Sequence, residues 1–436
     1  MSDDPQPNPF EGMPFFSELG KMLSQQGPLS WDAARQVAIM SATGGEAEAN
    51  VDPQLRITIE QLARVAELQV SSRTGLSTSV SGSGLKIVPV TRTQWVQTSL
   101  EAWRPLFERL AAALADDGED EPALTDPNDP AGFMAPLMKM VGPMMLGMTA
   151  GGLLGQLARR SFGQYDTPVP RSPSDEVLVV PANISTFGDE WSLDSDDLYL
   201  WVCLYEVTHH AVMGIPHVRQ RLEELLHRYL DGFEADPGAF EQKLEQLDPT
   251  AMTDMSGLQN IFSDPEALLG AMRSPQQDAL LPHLVALTST IVGYVDWTMD
   301  QIGASLIASY QQVTEAVRRR RVEADPSDRF VEQLFGLELS QSVYEAGAEF
   351  VDEIASQAGD DGVARLWADP EYLPTPNEIA APGVWVARVG LSADLSDSQL
   401  DELGDQRFFA YLHFREPHSP YDPPPPFDTM FGPDGP

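Results

Sequence analysis

The chain is poor in residues that usually carry chemistry. It holds one cysteine, Cys203, in an apolar run. A single cysteine allows no intrachain disulfide and no cysteine-rich zinc site. Burial in such a run also raises a thiol's pKa and removes it as a nucleophile. Lysine is nearly as scarce: Lys21, Lys86, Lys139 and Lys243 are all there are. With 27 basic residues against 66 acidic ones the formal net charge is -39. A nucleic-acid or anionic-membrane partner is therefore not expected, because phosphate would be repelled by most of this surface. The sequence has no G-x-S-x-G elbow, no glycine-rich phosphate loop and no kinase signature set. The N-terminal stretch "MSDDPQPNPFEGM" is acidic and Pro-rich. It lacks the basic and then apolar pattern of a secretory leader, so the cytoplasm is the expected compartment.

What is present is a helical chain. Hydrophobic residues make up 42% and charged residues 21%, which is ordinary globular composition. The expected class is mainly α (α+β), with a few short strands. Residues 1–13 read as a disordered lead-in and 416–436 as a low-complexity Pro-rich tail. Between them, 14–415 is expected to form a single domain. It has an N-terminal helical part (14–160), a motif-bearing part (161–235) and a C-terminal helical part (236–415). Asp52-Pro53 starts one helix, and Thr91 or Thr93 caps another that Pro105 should kink or divide. "LKIVPV", "EVLVVPANIS" (176–185) and "GVWVARVG" read as strands. The run Arg318–Arg321 reads as a solvated helix end meeting local carboxylates. From Met140 to Ala158 there are nineteen uncharged residues, close to spanning length. Pro143, Gln156 and the glycines make that segment weakly hydrophobic, so membrane insertion is not expected. Gly147, Gly151 and Gly155 bare one helix face and permit close helix contact.

The stretch "CLYEVTHHAV" (203–212) resembles a metal site with one part exchanged. A zinc-binding HExxH helix needs His, Glu, two spacers and His, because residues one turn apart share a face and can meet one ion. Here Tyr205 stands first, Glu206 second and His209 last. Asp194 or Ser195 can cap this helix, and Gly214 with Pro216 should end it. Glu206 is placed as general base and His209 as ligand. Tyrosine is a poor ligand at neutral pH, since its phenol loses a proton only near about pH 10. His210 projects about 100° round the helix from His209, and His217 lies past Gly214. On the other reading Tyr205, Glu206 and His209 simply satisfy one another inside the core.

Beyond the motif, "NPFEGMPFFSELGKML", "VTRTQWVQTSLEAWRPLFERLA", "LARRSFGQYDTPVP", "LYLWVCLYEVTHHAVMGIPHVRQRL" and "RFVEQLFGLELSQSVYEAGAEFV" resemble an actinobacterial family of zincin-like hydrolases. That family is also described as zinc-dependent metalloproteases. The resemblance spans roughly residues 8–390. It implies a mostly helical fold round a zincin-type helix, metallopeptidase ancestry, and zinc as cofactor. Carried over, Glu206 matches the catalytic glutamate and His209 the second zinc histidine, while Tyr205 replaces the first. A downstream Glu-Gly-His segment of the family corresponds here to Val292-Gly293-Tyr294, leaving Asp296 as the nearby oxygen donor. The expectation is a hydrolase architecture without a complete metal centre, weakly active or inactive. It would serve as a binding or scaffold protein for a protein or peptide partner. The alternative is an active zinc hydrolase in which Tyr205 or a distal carboxylate, among Asp296, Glu345 and Glu349, completes the site.

Overall fold

The chain is seen here as a computed structural model describing residues 29–115, 130–233, 274–322, 332, 334–337 and 339–394. The lead-in 1–13, the acidic stretch 116–129 and the Pro-rich tail 416–436 lie outside the described residues. The expected class is borne out, with thirteen α-helices and two short strands among those residues. Several expected boundaries are those the chain uses. Helix α1 (Trp31–Thr43) is followed by α2 (Pro53–Thr74), whose cap is Asp52 accepting from the Gln54 N–H. After β1 (Lys86–Pro89), Thr91 and Gln94 form a reciprocal capping box on α3 (Arg92–Ala102). The chain then breaks at Trp103, just before Pro105, and resumes as α4 (Arg104–Ala115).

Helix α5 (Pro130–Arg160) carries the glycine stripe and lies along α1. A Cβ on Gly147 would overlap the Ser30 carbonyl, one on Gly151 the Ala34 carbonyl, and one on Gly155 the Ser41 side chain. Across the contact α1 offers buried Ala34, Ala38 and Ala42. The bare face is thus used against a helix of the same chain. Among the described residues the helix long and apolar enough to cross a membrane is a different one, Pro275–Leu306, and 67% of its apolar window is buried inside the protein.

A short loop leads from α5 to β2 (Glu176–Val179), which pairs in parallel with β1, with Lys86 opposite Glu176 and Pro89 opposite Val179. Strand β2 is shorter than expected: Pro181 opens α6 (Pro181–Trp191) instead. Proline suits a first helical position, and the Asn183 amide is spent on the carbonyls of Ala158 and Ser161. Helix α7 (Ser195–Met213) bears the motif. It is followed by α8 (Pro216–Leu230), α9 (Pro275–Leu306), α10 (Tyr310–Val322) and α11 (Gln341–Arg365), the last kinked at Gly359. Where α9 crosses α11, Gly293 meets the backbone at Gly347. Short α12 (Pro376–Ala380) precedes α13 (Pro382–Asp394).

Helix α13 corrects the strand expected for "GVWVARVG". Trp385 and Val389 stand one turn apart and are each 1% exposed. The Trp385 indole donates to the Tyr372 carbonyl at 2.6 Å. That one-turn apolar spacing, after a proline at the helix start, outweighs the β-propensity of the valines.

The α1–α5 contact makes a paired expectation. Gly151→Val should lower stability by about 1–3 kcal/mol through overpacking. Gly152→Ala would meet only Val37 Cγ1 at 3.9 Å and should gain up to about 1 kcal/mol of helix propensity. Denaturant midpoints of the two variants check this.

Candidate functional site

Helix α7 is capped by Asp194, whose side chain accepts from the Asp197 N–H at 3.0 Å. From Leu198 to Met213 every residue is buried. Helices α2, α9, α10, α6 and α8 and strand β2 all pack on it. A helix so enclosed has no solvent face for its polar residues, and each must find a partner inside.

Glu206 finds its partners in the loop before β2. Its carboxyl accepts from the Gln164 N–H at 2.9 Å and from the Tyr165 N–H at 3.1 Å. Gly163 allows this approach, since a Cβ there would overlap the Glu206 carboxyl. The Gly163 carbonyl is held by the Trp95 indole at 2.8 Å, and the Val180 N–H reaches the Phe162 carbonyl at 2.7 Å. Burial, with Asp166 nearby, raises the Glu206 pKa well above the usual carboxylate range.

Tyr205 and His209 do come together, with ring centroids 4.3 Å apart. Tyr205 also stacks on Trp201 and faces the Arg321 guanidinium at 5.0 Å. His209 is fully buried, and burial lowers its pKa to about 3, so the ring is neutral. Its Nδ1 lies 3.2 Å from the Tyr205 carbonyl, while Nε2 has no partner. A carbonyl accepts, so Nδ1 carries the hydrogen and Nε2 is a bare lone pair. Asp296 lies on α9 and is taken up by Arg321, whose Nη1 donates to its carboxylate at 3.1 Å. That pair is mostly buried, at 15% and 14% side-chain exposure.

The remaining candidates point elsewhere. His210 bonds through Nδ1 to the Tyr165 hydroxyl at 2.9 Å. His217 sits in the first turn of α8. Glu345 and Glu349 are exposed on α11, and Glu345 accepts from the Gln341 amide at 2.6 Å. Among the described residues no three of His, Cys, Asp and Glu gather closely enough to hold a metal ion. Cys203 is a free, buried thiol whose pKa burial pushes up.

The arginine run behaves only half as expected. Arg318 and Arg319 meet Asp300 and Glu315 at the surface. Arg320 and Arg321 turn inward, to Asp166 at 3.6 Å and to Asp296. Together with Tyr205, Tyr344 and Leu157 they line a small cleft open to solvent. Sequence reading missed Gly163, Tyr165, Asp166 and Arg171. All of them lie in or beside "FGQYDTPVPR", and periodicity is silent in a loop.

Known proteins bear on this arrangement in three ways. Residues 29–386 match the family model described as zincin-like metallopeptidase. A crystal structure of "a putative hydrolase with a novel fold" from Chloroflexus aurantiacus superposes with a TM-score of 0.58 at 23% sequence identity. The match covers 83% of this chain and 99% of that one, and at such identity it speaks for the fold. Among curated proteins none matches the chain. The family match runs from before α1 into α13 and takes in the motif helix, its loop and the helices packed on it: the chain belongs to the zincin-like metallopeptidases.

Proposed function

We propose that this chain keeps the zincin architecture without a catalytic zinc and works as a binding protein through the cleft beside Tyr205. The observation that carries the reading is Arg321. Its guanidinium lies against Tyr205 and pairs with Asp296. The positive charge that an ion would bring to this place is thus already supplied by the protein. A catalytic zinc draws about three protein ligands. Beside Tyr205, whose phenol pKa burial raises further, the structure offers the imidazole lone pair of His209 Nε2. These groups do not fit that ion. Glu206 is fully buried and occupied by two backbone N–H groups, whereas a general base must reach a water.

The cleft suits binding. Its walls combine the Tyr205 and Tyr344 rings with the charges of Arg320, Arg321 and Asp166, the mix of apolar area and placed polar groups that small-molecule and peptide sites use. One observation favours the other reading, an active zinc hydrolase with His209 as ligand and Glu206 as base. The His209 Nε2 lone pair is buried and unpartnered, as a ligating nitrogen would be before its ion arrives.

Metal analysis of protein purified without chelator decides between them. We expect zinc well below one ion per chain, and the same content in His209→Ala. One zinc per chain, lost in His209→Ala, would overturn the proposal. A second expectation concerns Arg321. Arg321→Met leaves Asp296 buried without its cation and should cost about 3 kcal/mol of stability. Asp296→Asn added to it should recover most of that loss, as read from denaturation of the single and double variants. A neutral Arg321→Met would mean that the pair does not hold the place assigned to it.

A further inference from the structure

On the other side of the motif helix lies a cation that makes no close ion pair among the described residues and feels the Glu206 carboxyl only at longer range. Arg171 follows the loop that caps Glu206. Its Nη2 donates to Ser99 Oγ at 2.7 Å, and its guanidinium lies over the Trp103 and Trp95 rings at 5.5 and 5.9 Å. Its Nε and Nη1 are buried and have no hydrogen-bond partner. Burial lowers its pKa to about 10, which still leaves it charged at neutral pH. A buried guanidinium is usually matched by a carboxylate or phosphate that its planar fork can grip, and an uncompensated one is costly.

Arg171 lines a small recess that opens to solvent, with His210, Gln164, Tyr165 and Arg219. His210 is 4% exposed and its Nε2 is also without a partner. The Tyr165 hydroxyl lies 2.9 Å from His210 Nδ1. The unspent polar atoms of these side chains are therefore Nε and Nη1 of Arg171, which can only donate, and Nε2 of His210. Arg219 also lies at the wall, its side chain 13% exposed, 3.8 Å from the Glu223 carboxylate and donating to the Met213 carbonyl. A recess of orphaned donors and positive charge is complementary to an acceptor-only group. On a chain of net charge -39 it offers a local well for a small anion, while the surface turns larger polyanions away.

We propose that this recess binds the oxyanion group of a small ligand, a carboxylate or a phosphate, with Arg171 as its cation and His210 Nε2 as a further donor. His210 lies five residues from Tyr205, about 140° round the helix, so the site is separate from the cleft of the binding reading and stands whether or not a metal is bound.

The test uses the full chain. Thermal unfolding and calorimetric titration are run with inorganic phosphate and with acetate, against chloride at matched ionic strength. A saturable rise in Tm with phosphate or acetate, absent with chloride, is expected, and the anion that acts identifies the group. Arg171→Met should abolish the response and leave the Tm without anion unchanged or higher, because an uncompensated buried charge is gone. A purely structural arginine would instead lower it. His210→Phe should weaken binding about tenfold while keeping saturation. No saturable response to either anion, a response equal to that of chloride, or an undiminished response in Arg171→Met or His210→Phe overturns the proposal.

Discussion

The contact on which the rest of this structure depends is the grip of two backbone N–H groups, those of Gln164 and Tyr165, on the carboxyl of Glu206. A carboxyl at the centre of a helix buried on every side is costly unless satisfied. Satisfying it brings a loop against that helix, and the loop comes close because Gly163 has no side chain. Once there it is tied down from several directions. Trp95 of α3 holds the Gly163 carbonyl, and Val180 after β2 holds that of Phe162. The Asn183 amide of α6 binds the end of α5. The N-terminal helices, the small sheet and the motif helix are thereby fixed to one another round a single buried acid.

That arrangement divides the surroundings of α7 into two sides, and each contains arginine. Beside Tyr205 lie Arg320 and Arg321, matched by Asp166 and Asp296. Beside His210 lies Arg171, matched by no carboxylate among the described residues. A chain with so large an acidic excess would be expected to spend its few cations on surface pairs, and many are spent so. Those drawn inside are arginines, whose delocalised charge is weakly hydrated and stacks on rings. Arg171 lies over two tryptophans, and Arg321 lies between Tyr205 and Tyr344. The aromatic residues round the motif therefore act as more than core filling: they make charge burial tolerable where the chain needs it.

Much of the fold was legible because it rests on local rules. The caps at Asp52, Thr91 and Asp194, the break near Pro105, and the end of the motif helix at Gly214 all follow from side chains acting on backbone within a few residues. The glycine stripe of α5 declared a close contact, though not its partner. Less was legible where the outcome depends on distant groups. The valines of "GVWVARVG" suggest a strand, and the burial of Trp385 and Val389 one turn apart favours the helix over it. At the site, the pairing of Tyr205 with His209 could be read from one-turn spacing. The engagement of Asp296 by Arg321, and the inward turn of half the arginine run, could not. Those contacts join α10 to α9 and to the loop before β2 through space, and no short-range pattern announces them.

On the reading proposed above, position 205 is a place where a family fold outlasts one of its ligands. In a site whose integrity rested on the ion, exchanging an imidazole for a phenol would leave a hole in the coordination and a loosened helix. Here the ring at 205 has partners within the protein: Trp201 one turn earlier, His209 one turn later and a guanidinium beside it. Stacking and cation–π contact are each worth on the order of 1 kcal/mol, and the surrounding apolar burial supplies more. The motif helix is therefore held by packing on all its faces and by the loop on Glu206, neither of which requires a metal. Membership of the zincin-like metallopeptidases fixes where this helix lies and what surrounds it. The chemistry beside it is set by which polar atoms remain unspent, and those differ on its two sides: a bare imidazole lone pair at His209, and the unused N–H groups of Arg171 near His210.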